Sequence, residues 1–334
     1  MKETFWLLDI NYEVKDHKPE IWMWGINDKG ERVLIIDRNF LTYFYLVLRE
    51  EADPKIVFER VQEERAKLPF IAGLEITERR LLGKSLNAIK VSVQDPELVP
   101  KYSEVLSKVN GVEKSLEDDI RCSMRYLIDN DVIPCGWHDA EVDPEKDKPD
   151  VLIDRAYVAR SIPKRIKREE MPQLRVLSFS MVCYGSKGTP KPEKDPVIII
   201  STVTNTGEKR QFTAENLNDK DMIGSFIDYV RDFDPDIIAG YGTSKADWQY
   251  LTDHSAKLGL RLFVDRANTG PHRSVYGHIS ITGRANMDML DFADELPEVK
   301  VKTLENIADF LGVMKLDESC LLYTSPSPRD RQKS

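Results

Sequence analysis

Residues 174–185 read LRVLSFSMVCYG, and this stretch decides the fold. Apolar residues run almost unbroken to a Tyr-Gly stop, the shape of a buried strand bounded by a turn. On a strand, residues two apart point to the same face. Ser180 and Val182 form such a pair. A two-metal nuclease strand of this shape carries Asp-x-Glu there, because two carboxylates on one face grip one metal site together. Here the pair is a neutral hydroxyl and a hydrocarbon.

The pattern continues on the carboxyl side. Residues 196–205, PVIIISTVTN, read as a second strand, and 209–212 as a short third. Residues 219–232 make an amphipathic helix, PDIIAGY (235–241) a buried strand, and 247–258 a helix closed by Gly259. Three strands, helix, strand, helix is the order of a ribonuclease-H-like fold. Near-continuous Val/Ile runs fit the parallel part of its mixed sheet. Residues 303–311 form a further helix, capped by Thr303, with Asn306 at the third position and Gly312 behind it.

On the amino side, residues 4–50 alternate like antiparallel strands, with a hairpin signal at Asn27-Asp28-Lys29-Gly30. Residues 54–67 read as an amphipathic helix with Ile56, Val57, Phe58 and Val61 on one side. Strands are expected at 74–82 and 87–93, a second helix at 96–109, and a strand from Gly111. Helix between paired strands, twice, suggests a small α+β sandwich. Residues 139–150, DAEVDPEKDKPD, read as a charged linker. The basic run at 155–168 reads first as a solvated loop, with a strand flanking a nucleic-acid groove as the sharper alternative. The predicted organisation is an α+β domain over 1–138, a linker and connecting strand over 139–172, and a ribonuclease-H-like domain over 173–319. The overall class is α+β followed by α/β. Residues 320–334 have no core face and resemble translated adaptor sequence, so the natural chain is expected to continue past Ser319.

Length and composition bound the function. The chain has 334 residues, 41% hydrophobic and 31% charged, enough for two cores. A net charge of −9 argues against a small basic nucleic-acid binder, while leaving room for a local basic channel. No apolar run approaches the roughly 20 residues of a membrane helix, and no signal-peptide core opens the chain. Cys122, Cys135, Cys183 and Cys320 form no CxxC pair and read as reduced thiols, which fits a cytoplasmic protein.

Several segments jointly resemble the amino-terminal half of an archaeal family B DNA polymerase. They are MRYLIDNDVIPCGW (124–137), RVLSFSMVCY (175–184), FDPDIIAGYGTSKADWQYL (233–251), GHISITGRANMDMLDFAD (277–294) and KVKTLENIADFLGV (300–313). The resemblance runs from Phe5 to about Asp317. It implies an amino-terminal domain followed by a 3′–5′ proofreading exonuclease domain, with the polymerase domain further on. It also implies DNA (primer-template and a single-stranded 3′ end) as partner, Mg²⁺ as the cofactor of the complete enzyme, and a sliding clamp bound through the missing carboxyl-terminal part.

Ser180 and Val182 match the family's metal-binding Asp-x-Glu. Mg²⁺ wants hard oxygen ligands, and neither Met181 nor Cys183 supplies one. Asp247 matches the aspartate of the second exonuclease motif. The asparagine and phenylalanine that hold the unpaired 3′ end there are Gly242 and Ala246, and Tyr241 precedes them. Asp247 also has a plainer reading, a first-turn carboxylate favourable to the helix dipole, which is preferred once its partners are gone. Asp288 and Asp291 are considered as replacement ligands. The favoured reading makes them a loop aspartate pairing with Arg284 and a helix-start carboxylate. The third motif would lie beyond Ser319.

Archaeal members read template uracil in an amino-terminal pocket. Tyr12 and Arg125 match pocket positions, on a strand and a strand edge, while Thr42 and Ala88 replace a proline and a valine. The same residues also read as packing and surface positions. Three functions follow: a polymerase part with a degenerate proofreading site, a non-catalytic DNA-binding or uracil-sensing module, or an active exonuclease with rearranged ligands.

Overall fold

A computed structural model describes residues 1–147, 149–185, 188–274 and 277–313. Ser319, Cys320 and the tail at 320–334 lie outside the described residues. The chain divides into two compact units. The first holds Met1–Leu174 with two returning segments, Asp265–Thr269 and Thr282–Arg284. The second holds the rest.

The first unit carries two sheets. In one, β1 (Lys2–Lys15), β2 (Lys18–Asn27) and β3 (Arg32–Asp37) form an antiparallel meander. The Asn27 to Gly30 turn closes as expected, the Gly30 amide donating to the Asn27 carbonyl at 2.9 Å. The other sheet is built from β4 (Thr42–Leu48), α1 (Pro54–Arg65), β5 (Ile71–Leu81), β6 (Lys84–Val93), α2 (Val99–Leu106) and β7 (Val112–Leu116). Its spatial order is β5-β6-β4-β7. That βαββαβ arrangement is the split, ferredoxin-like one. One sheet face is core: Phe44, Leu46, Ile89 and Val91 pack with Val57 and Val61 of α1 and Tyr102 of α2. Ile56 is instead about half exposed, since at 100° per residue it points away from the stripe that 57 and 61 define.

Three expectations for this unit are corrected. Residues 124–130 form no strand: they belong to helix α3 (Cys122–Asn130), which buries Cys122, Arg125 and Tyr126 on one side. The charged stretch from 139 begins as β8 (Trp137–Pro144), hydrogen-bonded to β1, so the expected linker is built into the first sheet. Its charges alternate with buried Ala140 and Val142, which is strand patterning. The basic run contains β9 (Arg155–Ala159), parallel to β3, and β10 (Lys164–Arg165). Its arginines are largely paired: Arg155 with Glu31, Arg160 with Asp143, and Arg168 with Asp28 and over the Trp137 ring. The returning segments close on the same unit. Gly283 donates to Asp9 at 2.8 Å, and its φ of +79° and the Trp24 ring 3.0 Å from where a Cβ would sit both require glycine.

The second unit is one five-stranded sheet with helices. Its strands are β11 (Val176–Cys183), β12 (Val197–Thr204), β13 (Lys209–Thr213), β14 (Ile237–Gly240) and β17 (Ala285–Asp288), in the order β13-β12-β11-β14-β17. A two-stranded ribbon, β15 (His272–Arg273) with β16 (Ile279–Ser280), stands apart. β11, β12 and β13 are antiparallel neighbours, while β14 and β17 run parallel to β11. The longest Val/Ile run, 197–200, therefore belongs to the antiparallel half and not, as expected, to the parallel one.

Helix α4 (Lys220–Phe233) buries Ile223, Phe226, Ile227 and Val230 at helical spacing. Helix α5 (Asp247–Lys257) adds Trp248 and Leu251 to the same core. β11 contributes Leu177 and Phe179 to that core, with Met181 and Cys183 at its margin. The alternate residues Ser178, Ser180 and Val182 are exposed. The strand is thus one-sided, not buried through and through. Helix α6 (Met289–Asp294) is capped by Asp288, and α7 (Leu304–Phe310) by Thr303, whose hydroxyl accepts from the Asn306 amide as the sequence suggested.

Candidate functional site

β11 holds Ser180 and Val182 side by side on its exposed face, Val182 half exposed to solvent. Across the ladder they face Ser201 and Ile199 of β12. The immediate neighbours on this patch are therefore hydroxyls and hydrocarbon.

The loop after β14 is the second component. Gly240 approaches Thr243 so closely that a Cβ would lie 2.2 Å from the threonine methyl. Gly242 adopts φ +73°, a conformation open to glycine and tolerated by asparagine. An asparagine would fit the same turn, so the backbone form does not depend on which of the two is present. Tyr241 is tied by its hydroxyl to the Lys302 carbonyl at 2.9 Å. The helix then begins at Asp247, with no side-chain cap from Ala246. A carboxylate in that uncapped first turn compensates exposed amides and the dipole.

Asp288 closes the loop from β17. Its Oδ1 accepts from the Gly242 amide at 2.6 Å and the Leu290 amide at 3.1 Å, and Oδ2 accepts from the Ser244 amide at 2.9 Å. The residue is 4% exposed. Burial, and after it the charge of Asp288, push the Asp247 carboxyl up to about 6. Cys183, at the end of β11, is pushed up to about 11, chiefly by burial. Asp291 lies apart from this cluster, its carboxylate 3.6 Å from His278 Nδ1. Among the described residues no three His, Cys, Asp or Glu side chains come together in a grouping that could hold a metal ion.

The structure therefore brings Ser180 to Val182, and Asp247 to Asp288 through loop 241–246. Asp288 is a clamp on backbone amides, a role its position at the end of a short strand did not announce.

In the first unit, Arg125 lines an open cavity of about 630 Å³ with Tyr43, Tyr45, Arg79, Ala88 and Glu117. Tyr12 is not among the lining residues; it is half-buried and packs against the core beside Cys122 and Tyr126. Arg125 is 2% exposed, stacks 4.0 Å over the Tyr43 ring and donates from Nη1 and Nη2 to Glu117 Oε2, each at 3.0 Å. Lys90 covers the same ring at 3.9 Å, and Arg79 donates to the Tyr45 hydroxyl at 2.7 Å. The Tyr43 hydroxyl donates to Asp129 at 3.0 Å, and burial and that bond raise its pKa. Tyr43 and Tyr45 escaped the sequence reading, although their two-residue spacing on β4 marks one face.

Three antiparallel strands, two parallel ones and an acid-led helix after the fourth strand define the second unit as ribonuclease-H-like, of the exonuclease type. The family model for the exonuclease domain of DNA polymerase family B matches residues 113–307. DNA polymerase 2 of Aeropyrum pernix is 37% identical over 323 residues, which is 96% of this chain and 40% of that protein. DNA polymerase 3 of Saccharolobus solfataricus is 30% identical over all of this chain and 43% of its own length. The solved family B DNA polymerase of Pyrobaculum calidifontis superimposes with a TM-score of 0.85 at 36% identity, over 93% of this chain and 40% of that one.

The chain belongs to DNA polymerase family B. It spans about two fifths of the length of these relatives.

Proposed function

We propose that this chain is the amino-terminal and exonuclease-like part of a replicative DNA polymerase in which the proofreading metal site is degenerate. The observation that carries this reading is the placement of Ser180 and Val182 together on the exposed face of β11, in the register where the family has Asp-x-Glu. The donor set left at the site suits Mg²⁺ poorly. Ser180 offers a neutral hydroxyl and Val182 nothing, and Asp288 is committed to three amides. Nucleotide transfer belongs to the part of the protein that this chain does not span. The role left to the second unit is to hold DNA without cutting it.

The test is a 3′-trimming assay with Mg²⁺ on the full-length protein. The expected result is no trimming, and no difference between the natural chain and Asp247→Ala. Mg²⁺-dependent trimming that Asp247→Ala abolishes would overturn the reading in favour of an active nuclease with rearranged ligands.

A second reading concerns the first unit and is favoured by the cavity beside Arg125. We infer that this cavity holds an unstacked base of a single strand, uracil among the candidates. Tyr43 and Tyr45 line its sheet wall together with Arg79 and Arg125, an aromatic and cationic lining of the kind single-strand binders use. Its test is binding of single-stranded oligonucleotides with and without uracil.

A further inference from the structure

The hairpin joining β5 to β6 turns through two residues, Leu82 and Gly83, with Leu81 paired to Lys84. Both turn residues are left-handed, at φ +48° and +85°. A tight hairpin demands that backbone, and Asn-Gly or Asp-Gly ordinarily supplies it. Here the first position is a leucine, which is disfavoured in that region. The leucine is also 97% exposed, more than any other large hydrophobic residue among those described. It sits in an unfavourable conformation with no packing in return, the kind of outlier that points to a function.

Its surroundings supply the occupant. Arg80 and Lys84 flank the tip and are exposed. Beside the ribbon lies a groove of about 820 Å³ with an apolar lining that includes Leu82 and Leu86, and with Lys84 and Lys114 set against Glu50 and Glu113. It shares Val47, Leu81 and Leu86 with the Tyr43–Arg125 cavity, so the two adjoin. An apolar tip between two cations suits a chain that alternates flat apolar rings with anions. An apolar protein partner would instead strip water from Arg80 and Lys84 and give nothing back.

We propose that the β5–β6 hairpin is a contact for single-stranded DNA. Arg80 and Lys84 take backbone phosphates, Leu82 lies against an unstacked base, and the strand continues along the groove toward Tyr43. This rests on the reading of the cavity as a single-strand site and extends it to a second, separable contact.

The test measures binding of a labelled oligonucleotide to the 334-residue chain across a salt series. Leu82→Asn supplies a residue the turn accepts, so it removes the tip without loosening the hairpin. It is expected to weaken binding by roughly 3-fold or more at unchanged salt slope, as lost base contact does. Arg80→Ala with Lys84→Ala is expected to weaken binding about 10-fold at low salt and to flatten the log–log slope by about 1.4, the value for two phosphates of a single strand. Leu82→Trp should bind at least as tightly, with its fluorescence quenched on binding. Hairpin variants that match the natural chain, while Tyr43→Ala weakens binding, would overturn the hairpin proposal and leave the cavity reading standing. The same holds if the hairpin variants affect duplex binding alone. No single-strand binding by the natural chain at low salt would overturn both.

Discussion

Asp288 and Asp247 are joined through the backbone between β14 and α5: one carboxylate clamps the amides of Gly242 and Ser244, and its charge adds to burial in keeping the other protonated up to about pH 6. In a metal-loaded nuclease a cation would offset such crowding.

The pair sets a pH dependence of stability. Asp247 binds its proton more tightly folded than unfolded, with a pKa of about 6 against an ordinary 3.8. Between those values the folded state carries more protons, so stability falls as pH rises from about 4 to about 6 and is level beyond. Asp247→Asn removes the loss. It is expected to be more stable than the natural chain by about 1–3 kcal/mol at pH 8, after allowance for partial exposure, with the gain vanishing near pH 4. Thermal unfolding at the two pH values checks this, and an equal effect at both would contradict the assignment.

Removing the clamp has the opposite sign. Asp288→Ala leaves the Gly242, Ser244 and Leu290 amides without their acceptor. Buried donors deprived of a charged partner cost about 2–4 kcal/mol together. Denaturant unfolding should show that loss. In the milder Asp288→Asn, titration of Asp247 should shift down toward the ordinary carboxylate range. An unmoved Asp247 in that variant would mean burial alone sets its proton affinity.

Carboxylates can be put back on β11. Ser180→Asp with Val182→Glu changes only exposed side chains and is expected to fold. The new pair should bind Mg²⁺, and at ten times its Kd the metal should stabilise the variant by about 1.4 kcal/mol. The natural chain is expected to show no such shift. A Mg²⁺ shift of equal size in both would remove the argument for a degenerate site.

Arg125 and Tyr12 should separate in binding experiments. Arg125→Ala removes a cation from the cavity wall and from the Tyr43 ring, and is expected to weaken single-strand binding roughly 10-fold. Tyr12→Ala alters packing against the core of the first sheet and should act more weakly on affinity than on stability. If uracil is read, a uracil-containing strand binds more tightly than its thymine counterpart, and Arg125→Ala erases the difference. Equal affinity for both strands would count against uracil.

The second unit was legible because its elements are periodic and its turns carry Gly and Pro. Its strands and helices follow from such local signals, as does the Thr303 cap, whereas the significance of Ser180, Val182 and Asp247 came from the family resemblance. The first unit was read less well where context overrode local pattern. Helix α3 has a short polar sequence whose one buried side emerges only through Tyr126, hydrogen-bonded to Asp37, and Arg125, stacked on Tyr43. β8 looked like a linker because its exposed positions are acidic, and its pairing partner β1 lies far off in sequence. Asp288 could not be recognised as a clamp on the loop, since the Gly242 and Ser244 amides it holds are more than forty residues upstream. The Tyr43 and Tyr45 face needed the split βαββαβ order before its two-residue spacing had a meaning.

The alternation along β11 has a consequence for descent. Leu177 and Phe179 answer to the core, and Ser180 and Val182 do not. Selection for a folded domain is therefore blind to what occupies the outer positions. Substitutions on the outer side of this strand can therefore come and go in a lineage without renegotiating the core on its inner side.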